Sequence, residues 1–143
     1  MIKNLTVNCK NNSKVEKAFV HKIISELRKE LLFSVSSLQI NFISSFEIKE
    51  INKKFLKHNY STDIITFNYS GSNIELDGEM FISEDNALNN SKKYNVPFVS
   101  EITRLIVHGI LHLIGYDDNT IKSKRRMKKL ENQLVLKYHS KFL

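Results

Sequence analysis

Two histidines stand four residues apart in the run Val107-His108-Gly109-Ile110-Leu111-His112-Leu113-Ile114-Gly115-Tyr116-Asp117-Asp118. Residues at that spacing share one helix face, about 5–6 Å apart at Cβ. Two imidazoles placed there can grip one metal ion. Gly115 supplies a stop, because glycine readily takes the left-handed conformation that ends a helix. Asp118, just past that turn, can bring a carboxylate back as a third ligand. Three protein ligands leave one position for water, the layout of a catalytic rather than a structural zinc site. Histidine pairs at this spacing also arise by chance, and a lone histidine on an apolar helix is usually a satisfied core residue. Here Leu105, Ile106, Val107, Ile110, Leu111, Leu113 and Ile114 make the helix apolar nearly all round, which predicts burial. Buried imidazoles without partners are costly, and a metal ion satisfies them.

The spacing His-x3-His-x2-Gly-x2-Asp is close to that of the long zinc-peptidase motif, whose first histidine is followed by a general-base glutamate. Gly109 holds that position here and cannot move a proton, so a peptidase of that type is disfavoured. Arg104 lies four residues before His108 and shares its stripe. It can reach a substrate phosphate or pair with Glu101 or another acid, and pairing at helical spacing is the commoner outcome. Asp63 and Glu79 sit in strand-like segments, where each can serve a turn or hold a ligand imidazole through its second nitrogen. His21 and His139 read as surface residues, and His58 is unassigned.

The formal charge is +7, which favours polyanionic partners. Part of that charge follows from a composition rich in Lys, Asn and Ile. Placement is more telling. Lys122, Lys124, Arg125, Arg126, Lys128 and Lys129 form a basic cluster directly after Asp118, with no acid between Asn119 and Leu130. A solvated helix face explains such a run as readily as phosphate steering does.

These residues must be positioned by alternating elements. Ile2–Cys9 reads as a strand. Ser13 and Glu16 form a capping-box pattern before a helix with Val15, Ala18, Phe19, Ile23, Leu27 and Leu31 on one face. Leu38–Ser44 is a second strand. Phe46–Leu56 is a helix with Ile48, Ile51 and Phe55 inward. Ile64–Tyr69 and Leu76–Ser83 are strands flanking the hairpin connection Ser70–Asn73. Glu84–Asn95 is a polar helix, parted by Pro97 from the histidine helix at Val99–Gly115. A last helix runs over Thr120–Tyr138, with Met127, Leu130, Leu134 and Tyr138 inward. The expected class is α/β or α+β, with a single-layer mixed sheet of about four strands packed with about five helices. At 143 residues the chain is expected to be one domain, residues 1–143. No apolar run has transmembrane length and no secretory pattern opens the chain. Cys9 is the only cysteine, so an intrachain disulfide and a cysteine-based zinc site are both excluded. These features suit a cytoplasmic protein without a membrane partner.

The stretch His108–Asp117 resembles the His-Gly-x-Leu-His-Leu-x-Gly-Tyr-Asp-His signature of the YbeY family of bacterial endoribonucleases. Ser61-Thr62-Asp63-Ile64-Ile65-Thr66-Phe67 is similar to that family's Pro-Thr-Asp-Val-Leu-Ser-Phe strand, and Asp77-Gly78-Glu79-Met80-Phe81-Ile82-Ser83 to its Leu-Gly-Asp-Ile-x-Ile-Ser strand. Met127 and Glu131 fit the helix after the motif. The resemblance implies a zinc-dependent, single-strand-specific endoribonuclease acting in ribosomal RNA processing, maturation and quality control, with ribosomal RNA or a ribosomal subunit as partner. It implies one Zn2+ or other divalent ion per chain on His108, His112 and Asp118. Asp118 stands where the family has a third histidine, and a carboxylate is an accepted zinc ligand. Leu56 stands where the family usually carries an arginine. The candidate RNA-binding residues are Lys57, Arg104, Arg125 and Arg126, and no general base is assigned. A noncatalytic RNA-binding ribosome-assembly factor with a structural metal, and a metal-dependent hydrolase of another substrate, are the alternatives.

Overall fold

A computed structural model describes residues 1–57 and 62–142. The elements run β1 (Leu5–Cys9), α1 (Lys17–Leu31), β2 (Ser34–Ile43), α2 (Ser45–Leu56), β3 (Ile64–Asn68), β4 (Glu75–Ser83), α3 (Glu84–Lys93), α4 (Phe98–Leu113) and α5 (Ile121–Phe142). The strands form one mixed sheet in the order β1-β2-β4-β3. β1 and β2 pair in parallel, as do β2 and β4, while β3 runs antiparallel to β4. Among the described residues, five helices and a four-stranded mixed sheet give the α+β fold expected from the pattern of elements.

The sheet buries one face. Leu5 and Val7 of β1, Leu38, Ile40 and Phe42 of β2, and Met80 and Ile82 of β4 alternate inward and are nearly inaccessible. That is the period-two pattern of a half-buried sheet. The opposite face carries polar residues such as Thr6, Asn8 and Gln39, all exposed. Against the apolar face lies α4, which also packs on α3 and α5. Ile102, Leu105, Ile106, Val107, Ile110, Leu111 and Leu113 are all buried, so the helix is covered nearly all round, as its composition predicts.

Several expectations are corrected. The Ser13–Glu16 capping box does not form. Glu16 is the residue before α1 and its side chain makes no cap. The Ser13 hydroxyl instead donates to Glu84, and the Lys14 N–H donates to the other Glu84 oxygen at 3.1 Å. The capping box that does exist lies at Ser44 and Glu47, opening α2. The buried stripe of α1 is Val20, Ile23, Ile24 and Leu27, and Ala18 faces solvent. In α2, Ile48 is buried, but Phe55 is 58% exposed and meets Phe67 edge-on, with centroids 5.9 Å apart. His21 is buried, not a surface residue. Its Nδ1 accepts the Ile2 N–H at 3.1 Å, which supplies a partner for a donor drawn into the core. His139 is exposed, as expected. His58 and Ser61 lie outside the described residues.

Candidate metal centre and groove

His108 and His112 emerge from the C-terminal half of α4 on the side that faces α5 rather than the sheet. Two glycines allow this. Gly109 points at β3 and β4, where an added Cβ would overlap the Met80 sulfur and the Ile64 Cδ1. Helix and sheet therefore approach closely at 109, and a larger residue there requires the ends of the Met80 and Ile64 side chains to shift. Gly109→Ala is expected to cost roughly 1–3 kcal/mol of stability through overpacking, read from the urea unfolding midpoint. Gly115 ends the helix with φ +107°. Its N–H donates to the His112 carbonyl at 3.1 Å, and the Tyr116 N–H donates to the Leu111 carbonyl at 3.0 Å. The chain then turns back toward the histidines.

The two Nε2 atoms face each other at 3.2 Å. The rings are nearly perpendicular, with centroids 4.7 Å apart. Two nitrogens bound to one tetrahedral zinc at about 2.0–2.1 Å lie roughly 3.3 Å apart. The separation of the pair therefore matches that of two nitrogens on one ion. At the back of the site, His108 Nδ1 lies 2.6 Å from Glu131 Oε1. Glu131 belongs to α5 and its side chain is 3% exposed. Burial alone would raise its carboxyl pKa, but hydrogen bonds and charge from His108 and Lys128 bring it down to about 2. An ionised carboxylate can only accept, so His108 Nδ1 carries the proton in this contact, and Nε2 is the nitrogen turned toward His112. Burial also lowers the His112 pKa, and the neighbouring His108 adds to that, against the raising effects of Asp118, the Tyr116 backbone and Asp117. The His112 ring is thus biased toward the neutral form that binds metal.

The other Glu131 oxygen accepts from Arg104 Nη1 at 2.7 Å and from Lys128 Nζ at 3.1 Å. Arg104 Nη1 also donates to Asn132 Oδ1 at 2.8 Å. Arg104 therefore does pair with an acid, but the acid is Glu131 rather than Glu101. Among the described residues, neither Asp63 nor Glu79 holds a ligand imidazole. Asp63 accepts from Asn90 at 3.2 Å, and Glu79 accepts from Asn41 at 2.8 Å and from the Tyr69 hydroxyl at 2.8 Å. Glu131 takes that role. Its sequence signal was weak, because 23 residues and a turn separate it from His108.

The histidines lie on the wall of a cavity of about 1150 Å³ between α4, α5, the end of α3 and the β3 segment at Thr62, Asp63, Ile64 and Thr66. Asp118, Arg104, Lys128 and Glu131 also line it. Asp118 is exposed, and among the described residues no three His, Cys, Asp or Glu side chains are gathered closely enough to hold an ion together. The structure thus joins His108 to His112 and puts Asp118 on the same cavity, outside a closed three-ligand cluster. Arg125 and Arg126 are exposed on α5, away from the cavity lining. Lys57 is exposed at the end of α2, in the left-handed conformation at φ 58°. No helix among the described residues is long and apolar enough to cross a membrane.

The chain is similar to known proteins over most of its length. A family model described as Endoribonuclease YbeY matches residues 2–139. A Chlorobium limicola protein named Endoribonuclease YbeY is 41% identical over 106 residues, 74% of this chain and 73% of its own. One of the same name from Azobacteroides pseudotrichonymphae is 38% identical over 129 residues, 90% of this chain and 89% of its own. The solution structure of a Thermotoga maritima protein superimposes with a TM-score of 0.67 at 22% identity, over 96% of this chain and 93% of that one. That last likeness concerns the fold.

Proposed function

This chain belongs to the YbeY family of endoribonucleases, and from that premise we propose that it cuts single-stranded RNA by metal-assisted hydrolysis. One zinc or similar divalent ion is held by His108, His112 and Asp118. The substrate is ribosomal RNA, free or in a ribosomal subunit, during processing, maturation and quality control in the cytoplasm. The observation that carries this reading is the pair of imidazole nitrogens 3.2 Å apart on the wall of a cavity large enough for a strand of RNA.

His108 and His112 act as donors whose lone pairs converge before substrate arrives. Glu131 fixes the His108 tautomer and ring angle. Asp118, on the same cavity, would complete the set, and its carboxylate suits a divalent ion beside two imidazoles. When bound, the ion lowers the pKa of its water to about 7 and polarises a phosphoryl oxygen. Arg104 and Lys128, anchored through Glu131, present positive charge where the phosphoryl oxygens build negative charge. Arg104 thereby supplies a guanidinium in a chain that has Leu56 where the family usually has arginine.

The deciding experiment is cleavage of single-stranded RNA by the purified protein, with and without chelator. Chelator-sensitive internal cutting is the expected result. RNA that is bound but never cut points to the noncatalytic assembly factor. Cleavage of another substrate class alone points to the general hydrolase. The role of the outer basic face has its own test. Reversing Arg125 and Arg126 to glutamate is expected to weaken RNA binding and flatten its salt dependence, by about 0.7 of a log unit per lost phosphate contact, with metal content unchanged. Unaltered affinity and slope, measured by fluorescence anisotropy across a salt series, would remove both residues from the RNA path.

A further inference from the structure

We propose that Glu101 and the apolar end of the cavity form a subsite for one nucleobase carrying an exocyclic amino group, cytosine being the simplest, on a nucleotide neighbouring the one that is cut. The inference rests on the RNA reading above and adds a base preference to it.

The cavity changes character along α4. Near the histidines its charged lining is Arg104 and Lys128 together with Asp118 and Glu131. Farther toward the helix N-terminus it is walled by Val96, Pro97, Leu105 and Val135. Glu101 lies between these walls. It is 8% exposed, it lines the cavity, and among the described residues nothing hydrogen-bonds its carboxyl. Burial pushes its pKa up, and Asp63 and Glu131 add to this against Arg104 and Lys128. A buried carboxyl without hydrogen bonds is costly unless something supplies donors. A phosphate cannot, since like charges repel. A ribose or base can, and apolar walls favour the flat ring of a base.

The chemistry selects among bases. A carboxylate accepts well from the cytosine N4 amino group. Uracil has a carbonyl at the same position and sets oxygen against oxygen. Tyr94, 61% exposed, stands on the cavity lining and offers a ring face for stacking, which every base can use. Glu101 precedes His108 by seven residues, about 10 Å along the helix at 1.5 Å per residue. That offset places the base contact beyond the cleaved linkage rather than on it.

The test compares two ring systems of equal size that differ on one edge, where cytosine has its N4 amino group and an unprotonated N3 and uracil has a carbonyl and an N3–H. Fluorescein-labelled decamers of cytidine and of uridine are titrated by anisotropy against the wild type and the Glu101→Gln and Tyr94→Ala variants, with cutting of a mixed-sequence RNA followed in parallel. The wild type should bind the cytidine decamer about five-fold or more tightly. Glu101→Gln should bring the two affinities within about two-fold. Tyr94→Ala should weaken both decamers and keep their ratio, which reports on the subsite even if the buried variant folds poorly. Equal wild-type affinities, or a preference that survives Glu101→Gln, would overturn the proposal. So would Tyr94→Ala binding unchanged. A cytidine preference without any cutting would sink the catalytic reading and leave the subsite standing. Absence of RNA binding would end both.

Discussion

Replacing His112 with alanine should strip the protein of its divalent ion and abolish RNA cleavage. Metal content, near one ion per chain in the wild type by elemental analysis, should fall close to zero. Cleavage should fall by well over a hundred-fold, since loss of even an outer partner of a ligand typically costs 10–100-fold. The reason is geometric. His108 and His112 meet across 3.2 Å, and neither nitrogen alone can hold an ion against water. Folding should survive, because the ring is only half-buried on the cavity wall. Asp118→His is the informative counterpart. It restores a third imidazole and should retain the ion. Full metal retention in His112→Ala would refute the pair as the centre. Metal loss in Asp118→His would show that the carboxylate serves the turn rather than the ion.

Glu131→Gln should be the next most damaging change. The carboxylate takes hydrogen bonds from His108, Arg104 and Lys128, and an amide cannot carry the charge that holds all three. Metal affinity is expected to drop 10–100-fold, with cleavage falling alongside. Glu131→Ala goes further, leaving Arg104 and His108 without their partner, and should cost roughly 3 kcal/mol of stability. The pH dependence has a definite sign. Burial opposes ionisation of Glu131, but His108 and Lys128 depress its pKa from 4.5 to about 2. An acid with a depressed folded-state pKa adds stability above its unfolded pKa and loses it as pH falls toward the folded value. Acid unfolding of the wild type should therefore steepen between about pH 4.5 and pH 2. Glu131→Gln should lack that component. An identical acid profile in the variant would show that the charge plays no part in stability.

The sheet was largely legible because strand burial is periodic and local. Leu38, Ile40 and Phe42 alternate inward whatever lies above them, but β1 starts later than the pattern indicates, at Leu5, and β2 earlier, at Ser34. In β2 a register shift against β4 between Val35 and Ser37 breaks strict alternation. Helix ends were less legible. The Ser13–Glu16 pattern failed because Glu84, some 70 residues away, captures both the Ser13 hydroxyl and the Lys14 amide. Phe55 falls on the apparent inward stripe of α2, yet the helix covers only the end of the sheet and leaves that ring half outside.

By itself the sequence determined the histidine pair, its helix and the glycine that ends it. The i, i+4 spacing, the apolar surround and the left-handed turn at Gly115 are all properties of neighbours in the chain. The tertiary structure decided what surrounds that pair. Docking α5 across α4 brought Glu131 behind His108, diverted Arg104 from Glu101 to Glu131, and left the Glu101 carboxyl facing the cavity without a hydrogen bond. It also chose Lys128 for the cavity wall and turned Arg125 and Arg126 away from it. These assignments depend on the rotation of one helix against another, and that rotation is set by how Met127, Leu134 and Tyr138 bury in the shared core. No local spacing encodes such an angle, because it is the sum of many side-chain contacts between segments far apart in the chain.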